Sequence, residues 1–118
     1  VSTMTTARLQ QLRANARLER DVLLEHRMRD GQDPAIAISE VPDVDELVVL
    51  SLRDEMLEDR GQLAEFSLAR LAARSAGPDA DEHRRNADRA EFELLREIAA
   101  QVPELTRGVW AAAARLEV

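Results

Sequence analysis

The 118 residues predict an all-α fold, an up-down helical bundle of four helices, three long and one short at the C-terminal end. Three observations carry this reading. Apolar residues recur at intervals of three and four over long stretches. Period-two alternation is missing, and the one β-like run, Ala35–Ser39, has no companion strand. Two Asp-x-x-Glu stretches, from Asp43 and from Asp79, have the spacing of helix-opening capping boxes.

Helix one spans about Thr5 to Arg29. Ser2, Thr3, Thr5 and Thr6 offer N-caps, Gly31 suits the C-terminal cap, and Pro34 follows shortly after. Residues 31–43 form one irregular loop, because two prolines and a glycine oppose a continuous helix there. Helix two opens at Asp43, with Glu46 in the third position, and continues to about Arg74, carrying Gly61 inside it. An interior glycine costs roughly 1 kcal/mol relative to alanine, so a kink or close contact is expected there. Gly77 and Pro78 turn the chain, Asp79 caps helix three, and that helix reaches about Gln101. A fourth helix follows Pro103, from about Glu104 to Leu116.

The length suits a single domain over residues 1–118. The chain is 45% hydrophobic and 33% charged, which fits a globular protein. Trp110, Phe66 and Phe92 are its aromatic residues, so the core is aliphatic. Cysteine is absent, which excludes disulfides, cysteine-based zinc sites and thiol nucleophiles. Every basic residue is arginine, which excludes Schiff-base and phosphate-loop lysines. A net charge of −7 works against nucleic-acid and anionic-lipid partners, and no apolar run is long enough to span a membrane. The N-terminal residues lack the basic-then-apolar order of a signal peptide, and a cytoplasmic location is expected.

Pro78–Gln101 gathers seven carboxylates, four arginines and His83. Its apolar stripe is Ala80, Ala87, Leu94, Ile98 and Val102, with Ala90 and Leu95 beside it. Glu82, Arg85, Arg89, Glu93, Arg96 and Glu97 lie opposite, as on a solvated helix face. Phe92 projects from the charged side, with Ala99 two turns along. Helix one has two stripes. One is Leu9, Leu12, Ala16 and Leu23; the other, well rotated from it, is Ala7, Ala14, Leu18 and Val22, reinforced by Met4. Two stripes imply two bodies, the chain's own core and a partner. The run Glu46–Leu52 at the start of helix two is apolar on nearly every side and points the same way.

Candidate chemistry is thin. Asp79 and His83 are spaced to chelate a metal from one helix face, and His26 and Asp30 share that spacing. In an up-down bundle the two histidines lie at opposite ends. Glu55 and Glu58 have a spacing that resembles half of the magnesium motif of all-α nucleotide pyrophosphatases, but the other half is missing. Arg13, Arg17 and Arg20 cluster on one face of helix one, an arrangement suited to a small dianion.

These observations imply a non-catalytic helical protein, without a cofactor, that acts through protein–protein contacts in an adaptor or regulatory role. The expected partners are a second copy of the chain or another protein. The expected contact residues are Met4, Ala14, Leu18 and Val22 on helix one, Ile36 and Ile38 in the loop, and Phe92 with Ala99. The alternative is a bundle that binds a small ligand or a metal, possible as an enzyme, with Asp79 and His83 as the metal-binding pair.

Overall fold

The computed structural model describes residues 3–75 and 77–116. The described residues are helical throughout their ordered elements and contain no strand. The helices are α1 (Thr6–Arg29), α2 (Pro34–Glu40), α3 (Val44–Asp59), α4 (Leu63–Arg74), α5 (Ala80–Gln101) and α6 (Thr106–Ala113), and a 3₁₀ turn at Pro103–Leu105 precedes α6. Among these residues the molecule has six helices, and the expected four-helix arrangement is corrected at two places.

The first correction is residues 31–43. Asp33 accepts a hydrogen bond from the Ala35 amide at 2.9 Å, and Pro34 occupies the first turn, where its missing N–H costs nothing. The short helix α2 therefore forms between the two prolines in place of an irregular loop. The second correction is Gly61. It adopts φ +67°, the Gly61 amide donates to Glu58 O, and the Gln62 amide donates to Leu57 O at 2.8 Å. That is a Schellman ending, so the expected helix two is two helices, α3 and α4. Gly31 ends α1 identically, with φ +88° and Gln32 N–H on Arg27 O.

The two expected capping boxes differ. Asp43 accepts from the Glu46 amide at 2.8 Å and opens α3, but the Glu46 carboxylate turns to Arg115 instead of back to the cap. Asp79 makes no side-chain cap bond to α5. Thr5 caps α1 through the Arg8 amide.

The core is aliphatic, as the composition requires. Leu9 and Ala16 of α1, Leu47, Val48, Val49 and Leu52 of α3, Leu95 and Ile98 of α5, and Val109 and Ala112 of α6 form one buried cluster, closed by Val102 and Leu105. The first α3 turns, apolar on every side, are enclosed by the chain's own helices. That run therefore needs no second body to bury it. Arg8 reaches Glu55 late in α3 while Arg13 reaches Asp45 at its start, so α1 and α3 run antiparallel. Thr3 N–H donates to Gln101 O at 2.9 Å and fastens the N-terminal end to the last turn of α5.

Gly108 lets α6 lie against α3. A Cβ there would stand 2.6 Å from the Asp45 carbonyl oxygen, closer than such contacts occur. Buried Glu46, 2% exposed, accepts from Arg115 Nε at 2.6 Å and locks the far end of α6 to the same turn of α3. The helix α4 lies along α5 and buries none of its residues fully. The molecule measures 45 × 40 × 22 Å, about two helices thick. Its radius of gyration, 15.4 Å, exceeds the ~13.5 Å of a compact chain of this length. No helix among the described residues is long and apolar enough to cross a membrane.

Candidate functional site

The capped, uninterrupted helix α1 presents two opposite faces. The first stripe enters the core: Leu9 and Ala16 are buried, and Leu12 and Leu23 pack half-buried against them. The second stripe faces outward. Leu18 is 67% exposed and Val22 52% exposed, one turn apart, with Ala7 and Ala14 exposed on the same side. Leaving such side chains in water forgoes roughly 1.5–3 kcal/mol each relative to full burial. Met4 lies just before the helix and packs partly buried against the core cluster, so it does not extend the outward stripe.

Ile36 and Ile38 are also exposed, at 48% and 56%, but they stand on α2 and not on a loop. Ala37 between them is fully buried and anchors the helix. Glu40 accepts from Arg27 at 2.7 Å and from Gln32 at 2.9 Å, which ties α2 to the end of α1. Phe92 is half-buried, and Ala99 packs against the core, so the back of α5 is partly covered by its own fold.

The metal-binding alternative gains no geometry. Asp79, His83 and His26 are exposed, and no group of three or more histidine and carboxylate side chains placed to hold a metal occurs among the described residues. His83 falls in register with the apolar stripe of α5, yet the core stops at Ala87, so the first turns of α5 extend past it. Glu55 is engaged by Arg8 at 2.6 Å, and Glu58 is exposed.

Three features escape the sequence reading. Trp110 is 70% exposed on α6. Leu68 and Leu71 are exposed on α4, the helix that Gly61 separates from α3. The third is an ionic cluster inside the charged stretch that looked wholly solvated. Asp88 and Glu91 are 4% and 5% exposed. Arg70 donates to both, Arg53 donates to Glu91, and the two guanidiniums lie 5.2 and 5.5 Å from the Phe66 ring centre. Burial pushes the Arg70 guanidinium down, but its bond to Asp88 and the charge of Glu91 more than offset this and raise it. A periodic cue exists: Asp88 and Glu91 stand one heptad before Leu95 and Ile98, so they share the buried face.

The cluster joins α3, α4 and α5. Beside it, a groove of about 740 Å³ between α4 and α5 is lined by Phe66, Ala69, Ala87 and Leu94 and bordered by Arg60 and Glu97, which pair at 2.6 Å. Comparison of the chain with family models, with curated proteins and with solved structures finds no match.

Proposed function

We propose that this chain is a non-catalytic helical protein that acts through protein–protein contacts, in an adaptor or regulatory role, and that it self-associates through the outward face of α1. The observation that carries the reading is the exposure of Leu18 and Val22 on the side of α1 opposite its buried stripe. A like-charged second copy is the occupant that this helix itself suits. In an antiparallel pair with the two-fold axis at Leu18, each Leu18 meets its copy and each Ala14 sits beneath a Val22, small against large. These layers are self-complementary about the two-fold axis, as an isologous contact requires. The burial of apolar helix surface supplies the affinity.

Light scattering on a sizing column tests this. The wild-type chain is expected as a dimer or larger, and Leu18→Glu or Val22→Glu is expected to yield monomer with unchanged helicity. A wild-type monomer at high concentration refutes the self-association.

A further inference from the structure

A second surface carries its own chemistry. Arg13, Arg17 and Arg20, at i, i+4 and i+7 on α1, share a cavity of about 450 Å³ with Arg107 of α6 and with Asp43 and Asp45 at the start of α3. Four guanidiniums thus face two carboxylates in a chain that is otherwise richer in acid than in base. Arg107 arrives there because Gly108 admits the α3 backbone so closely.

The two carboxylates are already engaged, Asp45 by Arg13 of the same cavity and Asp43 by the start of α3, which leaves Arg17, Arg20 and Arg107. Asp45 takes a two-pronged contact from Arg13, Nε to Oδ1 at 2.8 Å and Nη2 to Oδ2 at 3.1 Å. The bond to Asp45, followed by the charges of Asp45 and Glu104, holds the Arg13 guanidinium raised. Asp43 accepts the Glu46 amide as the cap of α3. Arg17, Arg20 and Arg107 have no carboxylate partner among the described residues. Arg20 is the most telling, because its Nε is buried and meets no acceptor among those residues. The contrast with Arg53 and Arg70 is instructive, since their cluster contains a carboxylate for each guanidinium. Buried donors are nearly always satisfied, and neighbouring cations repel unless an anion lies between them.

We infer that this cavity binds a small phosphorylated anion, a phosphate ester or diphosphate with at least two negative charges. Guanidinium forks match phosphate oxygens in pairs, and donors arriving from two helices suit a tetrahedral group better than a planar carboxylate. The cavity has room for more than one phosphate group. It lies on the flank of α1 turned away from Leu18 and Val22, so a bound anion and a second copy of the chain do not compete.

Titration calorimetry with inorganic pyrophosphate, inorganic phosphate and succinate at constant ionic strength, on the full chain, tests the inference. Pyrophosphate is expected to bind one-to-one and more tightly than succinate. Arg20→Gln and Arg107→Gln are each expected to weaken it about tenfold or more, while Arg29→Gln, paired with Glu25 at the end of α1, binds as wild type. Arg107 is exposed, so its variant keeps the fold even if Arg20→Gln does not, as circular dichroism would verify. The absence of saturable pyrophosphate binding overturns the inference. So does equal affinity in wild type and a folded Arg107→Gln, or succinate binding as tightly as pyrophosphate.

Discussion

At Gly108 one missing methyl group decides how two helices meet. The Asp45 carbonyl occupies the space a side chain would need, so Gly108→Ala must push α6 off α3. A loss of about 1–3 kcal/mol is expected, the usual cost of overpacking, measured by urea unfolding. A different residue-scale argument applies to Glu91. Its side chain is 6% exposed and bridges Arg53 to Arg70. Glu91→Ala leaves two guanidiniums close together against Phe66 with Asp88 as the buried carboxylate between α4 and α5. A loss of about 3–5 kcal/mol is expected by the same measurement, as when one partner of a buried pair is removed. The exposed pair Arg8–Glu55 differs in kind, and breaking it should cost less than about 1 kcal/mol. The raised Arg70 guanidinium contributes its stabilisation below its unfolded-state value and loses it only as pH rises through the higher folded value. No loss from that group occurs near neutral pH.

Among elements, the ends of α1 and α3 show one device used twice. Gly31 and Gly61 are each followed by glutamine, each takes a left-handed conformation, and each ends a helix. Gly31 stands before an evident break and reads as a cap. Gly61 stands between two apolar helical stretches and reads as an interior residue. The two readings differ because periodicity continues after Gly61, although the helix axis does not. Gly61→Ala is expected to cost about 1–2 kcal/mol, because an L-residue with a side chain resists the left-handed region. Hydrogen exchange should show the loss concentrated at the α3–α4 joint. An increase in stability would instead mean that a continuous helix is accessible. The helix α2 is a similar case: Asp33-Pro34 is an N-cap followed by a first-turn proline, and seven residues fit before Pro42.

As a whole the molecule is flat, two helices thick, with apolar side chains left outward on α1, α2, α4 and α6. If α1 is the seam of a self-associated chain, as proposed, scattering from the wild type should give a radius of gyration well above 15.4 Å, and Leu18→Glu should return it to near that value. Equal radii for the two proteins at high concentration would refute α1 as the seam. The outward Trp110 gives a second readout, because an exposed indole reports burial by a shift of its fluorescence. An unchanged spectrum on dilution would place Trp110 outside the seam.

Helicity, the cap at Asp43, the aliphatic core and the two opposed faces of α1 were legible in the sequence, because they depend on spacing along one helix, whereas Thr5 was one of four residues able to cap α1. The arginines at positions 13, 17 and 20 were legible as a cluster for the same reason. What only the tertiary structure decided is whatever depends on a second element. It turned α4 away from α3 at Gly61, enclosed the first turns of α3, and brought Arg107 to the helix-one arginines through the contact at Gly108. It also paired Asp88 and Glu91 with Arg70 and Arg53, partners on other helices that their heptad spacing to Leu95 and Ile98 does not reveal. A helix's own period tells which residues share a face, but whether that face meets water, a carbon side chain or a guanidinium is set by the neighbour packed against it.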